Sequence, residues 1–224
     1  MHDTALATAK KFLSVYNRNG NFRLLDIGSQ DINGSIRTVV PTNMSYLGID
    51  FVPGKGVDVI LEDPYVFPLE DCSFDYIVTS SCFEHSDFFW LLFLEVLRVL
   101  KDDGVAYINA PSNGSFHQFP VDCWRFYPDS GLALEKWASR NGYSVALLES
   151  FIGNRGVGNW NDFVAVFIKN GKMKHLYKGR MVDNVSGDFY NGYRRSDTGE
   201  LELLNYSKKT EDQRLIDRFK SEVP

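Results

Sequence analysis

Short apolar runs alternate with stretches of helical periodicity along most of the 224 residues. Leu6, Ala9, Phe12, Leu13 and Tyr16 recur at helical intervals, so Thr4 to Tyr16 is predicted as a helix ending at Asn19-Gly20. Arg23 to Ile27 reads as a short buried strand. A polar turn runs from Gly28 to Gly34, and a short helix over Ser35 to Val40 is stopped by Pro41. Tyr46 to Ile49, Val57 to Leu61 and Phe74 to Thr79 are the next three strands, the last two separated by a loop carrying Pro64 and Pro68. Phe88 to Leu100 is apolar almost all round, the mark of a well-buried helix, and Asp102-Asp103-Gly104 is expected to end it. Val105 to Ala110 is a fifth strand. A long loop from Pro111 to Tyr127 leads to a helix over Ser130 to Asn141 with Gly142 as its stop. Ser144 to Phe151 and Phe163 to Lys169 are two late strands joined by the glycine-rich connection Gly153 to Asp162.

Strands alternating with helices imply an α/β fold: a doubly wound, mostly parallel seven-stranded sheet with helices on both faces. The last two strands have no helix between them, so they are predicted as an antiparallel edge pair. Residues 1–169 form the main domain on this reading. Residues 170–224 form a C-terminal extension, read as a lid, a dimer contact or a partly disordered tail, with a final helix over Arg214 to Phe219.

Composition is that of a globular protein, with 44% hydrophobic and 24% charged residues. No apolar run is long enough to span a bilayer, and Lys10 and Lys11 interrupt the apolar part of the N-terminus. A cytoplasmic protein is expected, without membrane association. The formal net charge of −5 argues against binding nucleic acid through its phosphates. The extension differs from the body: residues 170–224 hold 11 Lys+Arg and 9 Asp+Glu, the remainder 13 and 20. Cys72, Cys82 and Cys123 are widely spaced and form no CxxC pair, which speaks against a disulfide framework or a zinc site. No metal site is expected.

The chemistry begins at the first strand end. Gly28 permits positive φ and close approach of a ligand to the backbone, and amides of the turn and the following helix start are candidate donors. Asp50 ends the second strand roughly 20 residues on, the offset of a ribose-binding acid. A tight turn with no ligand and a loop carboxylate with no partner are the plainer readings. His85 and His117 are the candidate general bases, because imidazole titrates in the useful range. The alternatives are a histidine that orders a helix start and a solvated loop side chain. The loop after the fifth strand also holds Asp122, Trp124, Arg125, Phe126 and Tyr127. Arg125 could pair with an anionic group on a substrate, and at least one of Trp124 and Phe126 is expected to anchor in the core.

Four segments in order resemble the class I S-adenosylmethionine-dependent methyltransferases: LLDIGSQDINGS, YLGID, ILEDPYVFPLEDCSFDYIVTSSCFEH and FLEVLRVLKDDGVAYINAP. The resemblance covers about residues 20 to 170. The resemblance implies a Rossmann-like fold and S-adenosylmethionine as cofactor, leaving S-adenosylhomocysteine as product. It implies that Asp26 and Gly28 lie beside the methionine part, with Ser80 approaching its amino end through the backbone, and that Ser29, Gln30 and Gly34 also bind the cofactor. Asp50 would bind the ribose, Phe51 pack near the adenine, and Asp63 accept from the adenine amino group. Gln30 replaces the family's middle glycine, as in a variant Asp-x-Gly-Ser-x-Asp-x-Asn-Gly turn. PVDCWRFYPD resembles a loop of methyltransferases associated with surface polysaccharides or secondary metabolites. His117, Asp122, Trp124, Arg125 and Tyr127 are therefore the expected acceptor-binding residues. The implied function is methyl transfer to an O or N atom of a small molecule, such as a sugar or polysaccharide precursor, by a possible homodimer. The alternatives are a non-catalytic scaffold on the same fold and a nicotinamide-dependent oxidoreductase, whose GxGxxG turn Gln30 breaks.

Overall fold

The computed structural model describes residues 3–154, 160–184 and 189–222. Among the described residues nine strands form one sheet: β1 (Phe22–Ile27), β2 (Met44–Asp50), β3 (Val59–Ile60), β4 (Phe74–Ser80), β5 (Leu100–Pro111), β6 (Ala146–Gly153), β7 (Asp162–Ile168), β8 (Phe189–Arg195) and β9 (Leu201–Leu204). Their order is β3-β2-β1-β4-β5-β7-β6-β8-β9. The first five pair in parallel; β7 lies antiparallel between β5 and β6, and β8 and β9 continue antiparallel beyond β6.

Alternation along each strand divides the core into two layers. Leu25, Ile27, Ile77, Ala106 and Ile108 face α2 (Phe89–Val99) and α3 (Pro128–Arg140), where Phe93, Leu97 and Leu134 are buried. Leu24, Tyr76, Val78, Val105 and Tyr107 face α1 (Asp3–Tyr16), and Phe12 stacks on Tyr107 with centroids 4.9 Å apart. Both faces are covered, which is why these strands read as continuous apolar runs.

Several expectations need correction. The sheet has nine strands, not seven, because the extension supplies β8 and β9; the predicted antiparallel pair therefore lies inside the sheet. The helix expected after Gly34 is a single 3-10 turn, Ile36–Val39, capped by Ser35 and cut short by Pro41. Asp102-Asp103-Gly104 does not separate helix from strand. Leu100 already pairs with Phe74, and the register shifts before Val105 pairs with Tyr76, so the polar residues form an irregularity within β5. The third strand shortens to two residues. Part of the connection between β6 and β7, residues 155–159, lies outside the described residues. No described helix is long and apolar enough to cross a membrane.

The extension also packs on the α1 face through buried Tyr177, Met181, Val182 and Phe189. Beneath it lies the fully buried carboxylate of Glu149 on β6. It accepts from Tyr16 Oη at 2.6 Å and from the amides of Met181 and Val182 at 2.8 and 3.0 Å, tying helix, sheet and extension together. Removing the acceptor would leave those buried donors unpaired. Glu149→Ala is expected to lower the unfolding free energy by about 3 kcal/mol, seen in urea as a fall in midpoint with the slope unchanged.

Candidate functional site

The parallel pairing of β1 with β2 and β4 brings three strand ends to one edge of the sheet. After β1 the chain turns at Gly28, whose φ is +78°. A Cβ there would stand 2.9 Å from Cys82 Cβ, so both the conformation and the close approach of the turn after β4 require glycine. The amides of Gly28 and Ser29 donate to Ile49 O at 3.0 and 3.1 Å, and Asp31 N donates to Lys55 O at 2.8 Å. These amides, expected to be free for a ligand, instead fasten the turn to the end of β2. Asp50 closes the arrangement: its carboxylate accepts from Gln30 N at 3.2 Å and from Val52 N at 3.0 Å. Asp50 is thus held rigidly where the two turns meet.

Above these ends opens a cavity of about 840 Å³. Asp26, Gly28, Ser29, Gln30, Gly34, Asp50, Phe51 and Ser80 all line it. Asp63 does not: it is exposed and accepts from Tyr65 N at 2.8 Å, while Leu61 and Pro64 on either side of it face the cavity. Ser80 is buried at the end of β4 with its hydroxyl 3.3 Å from Asn109 Oδ1. The next residue, Ser81, also lines the cavity and adopts φ +55°, an uncommon conformation for a non-glycine residue.

The opposite wall consists of the 3-10 turn Phe83–His85 and the loop after β5. This loop is pinned by aromatic packing. Trp124 and Phe126 both pack edge-on against Phe89, and Trp124 Nε1 donates to Ser86 O at 2.8 Å. Cys123 N donates to Glu84 O at 2.8 Å. The result is that His117 meets His85, with ring centroids 4.9 Å apart. Both histidines line the cavity, together with Glu84, Phe119 and Trp160.

The other predicted acceptor residues are not among the lining residues. Asp122 accepts from both terminal nitrogens of Arg125 at 2.6 and 2.8 Å and from His117 N at 2.7 Å, so Arg125 braces the loop instead of presenting its charge to the cavity. This ion pair holds the Asp122 carboxyl down at about 2. Trp124 is a packing residue, and Tyr127 sits at the N-cap of α3. Glu84, Ser81, Tyr65, Phe119 and Trp160 were not singled out from the sequence; only the Glu84-His85 pair at a strand end carried a signal.

Residues 27–108 match the family model described as a methyltransferase domain. The match runs from the end of β1 into β5. Over this stretch, 82 of the 224 residues, the chain is similar to a methyltransferase domain. None of the curated proteins matches the sequence. Among solved structures, the 1,6-didemethyltoxoflavin-N1-methyltransferase of Burkholderia thailandensis, solved with its substrate and S-adenosylhomocysteine, superposes with TM-score 0.59 at 14% identity, covering 74% of this chain and 78% of that one. The YcgJ protein of Bacillus subtilis gives TM-score 0.53 at 14% identity over 75% and 99% of the two chains. The [4+2]-cyclase SpnF gives TM-score 0.52 at 14% identity over 74% and 81%. At these identities the likeness concerns the fold. The methyltransferase-domain match and the fold shared with a structure that holds S-adenosylhomocysteine support S-adenosylmethionine as the cofactor.

Asp26 and Glu84, both buried in the cavity wall, have no lysine or arginine bonded to them among the described residues. Burial raises Asp26 to about 7, against the opposing effects of the Tyr46 hydroxyl, 2.6 Å from its Oδ2, and of Arg37. Burial likewise raises Glu84 to about 8, while it lowers the imidazole of His85. For Asp26 the folded pKa lies above the unfolded one. Its contribution to stability is therefore complete below the ordinary carboxylate range and is lost as pH rises through 7. Asp26→Asn keeps the shape and the Tyr46 acceptor without the charge. It is expected to stabilise the protein by about 2 kcal/mol or more at pH 8 and hardly at all at pH 4, measured by urea unfolding at both values.

Proposed function

We propose that this methyltransferase methylates an O or N atom of a small polar acceptor, a sugar or a sugar-linked precursor of the surface-polysaccharide kind. One observation carries the reading. The strand-end wall with Asp26, Gly28 and Asp50 and the histidine wall with His85 and His117 enclose the same cavity. Its volume of about 840 Å³ falls in the range of small-molecule sites and leaves room beside an adenosyl ligand. Phe51, Phe119 and Trp160 offer flat faces to ring-shaped groups. No described residue of the extension lines the cavity, which favours an acceptor that fits between the two walls without a cover from residues 170–184 or 189–222.

Bound S-adenosylmethionine supplies a methyl group on a sulfonium that is already a good leaving group. The chain's part is to bind, to align and to exclude water. Asp50 is the acceptor for the ribose hydroxyls, prepositioned by the amides of Gln30 and Val52. Phe51 faces the adenine side. Asp26, at the methionine end, has its carboxylate favoured by the positive ammonium and sulfonium of the ligand. His85 and His117 stand on the acceptor side, where a hydroxyl or amine must lose its proton.

Calorimetry with S-adenosylhomocysteine tests the cofactor half of the reading. Asp50→Ala is expected to weaken binding about 10- to 100-fold. For the unaltered protein the affinity is expected to rise about tenfold between pH 6 and pH 8 as Asp26 ionises, and Asp26→Asn should remove that rise. Methyl transfer to a panel of sugars and sugar-linked metabolites tests the acceptor half. Tight cofactor binding without turnover on any acceptor would favour a non-catalytic scaffold.

A further inference from the structure

We propose that Glu84, His85 and His117 together bind a divalent first-row transition-metal ion in the wall of the cavity. One ligand atom from each of the three lies within 4.8 Å of the others. His85 Nε2 is 3.6 Å from Glu84 Oε1. A tetrahedral ion with bonds of about 2.1 Å holds neighbouring ligand atoms roughly 3.4 Å apart, so this pair is already at coordination spacing. His117, on the partly exposed loop, brings a third ligand atom within 4.8 Å of both.

The surroundings of each donor are those of a ligand. His85 Nδ1 lies 2.5 Å from Val121 O. A carbonyl there requires the proton on Nδ1, which leaves the Nε2 lone pair directed at the carboxylate. His117 shows the same polarity: its Nδ1 is 3.3 Å from both Ser115 O and Asp122 Oδ2, leaving Nε2 as the donor. Metal-bound histidines are commonly oriented in this way by a carbonyl or carboxylate on the second nitrogen. Glu84 supplies an independent observation. Only 1% of the residue is exposed, it lines the cavity, and its Oε2 has no hydrogen-bond partner. A buried carboxylate oxygen without a partner is costly, and a cation removes that cost. Arg125, the nearby guanidinium, has both terminal nitrogens committed to Asp122 and to carbonyl oxygens.

Two imidazoles and one carboxylate select zinc, iron or cobalt over magnesium and calcium, which prefer all-oxygen sites. Three protein ligands leave a coordination position open toward the cavity. Given the methyltransferase reading above, that position would take the oxygen or nitrogen of the acceptor and lower its pKa, so that the histidines act through the ion and not as free bases.

The test is titration of chelator-stripped full-length protein with Co2+, followed by visible absorption and calorimetry, with Zn2+ and Mg2+ as competitors. The expected result is one Co2+ per chain with ligand-field bands, displaced by Zn2+ and not by Mg2+. His117→Ala and Glu84→Gln should each weaken Co2+ binding at least ~10-fold, with circular dichroism reporting whether each variant is folded. Because His117 is on the loop, its variant keeps the test decisive if Glu84→Gln fails to fold. Silence in both measurements, displacement by Mg2+, or a folded His117→Ala that binds as well as the parent would overturn the proposal and leave an acid–base group without metal. S-adenosylhomocysteine titrated into the same unaltered protein reports separately on the methyltransferase reading, so failure of one does not resemble failure of the other.

Discussion

The cavity exists because β1 pairs in parallel with β2 on one side and β4 on the other. That pairing sets Gly28, Asp50 and Ser80 along one edge, and the turns leaving those strands have nowhere to go except over it. The turn after β1 is then fixed by donation of its own amides to Ile49 O. Its rigidity comes from neighbouring backbone, at the expense of amides that a ligand could otherwise have used. What the turn presents to the cavity is therefore the Asp50 carboxylate and glycine surface and not a helix N-terminus, since only one 3-10 turn follows.

The body of the fold was legible in the sequence because both faces of the sheet are covered, and buried parallel strands read as uninterrupted apolar runs. The extension was not. β9 is exposed or half-buried at every position, and β8 alternates with a glycine and two arginines, so neither carries a core-strand signal. Arg195 donates to Glu135 at 2.8 Å and to Leu147 O at 2.7 Å, joining β8 to α3 and β6. Likewise, the bulge in β5 was hidden because Asp102-Asp103-Gly104 has the composition of a turn. Local composition cannot tell a stop between elements from an irregularity inside one.

The positions of Asp50 and Gly28 on the cavity edge were legible because strand register sets them. The site was not legible where roles depend on how a long loop returns. Asp122, Arg125 and Trp124 have the chemistry of a binding loop, yet they bond and pack within the loop and its seat. Their function is to place His117. Anchoring by Trp124 and Phe126 and the ion pair beneath the loop convert a flexible connection into a fixed wall. The arginine and the aspartate satisfy each other, and that mutual satisfaction is what removes them from the list of groups facing a ligand.

Three buried carboxylates show how structural and functional charge can be told apart in this chain. Glu149 is enclosed completely, and three donors meet its two oxygens. Its surroundings are complete without anything added, as expected of a group that fastens one element to another. Asp26 has a single hydroxyl donor and faces the cavity. Glu84 has one oxygen with no partner at all and faces the same cavity. Water or protonation can relieve such a group in the free protein, but neither explains why two histidines are also held with their second nitrogens bonded to backbone carbonyls on its side. Incomplete satisfaction at the bottom of a cavity, beside a fully satisfied carboxylate elsewhere in the same fold, is the difference between a site awaiting a positive ligand and a brace that needs none.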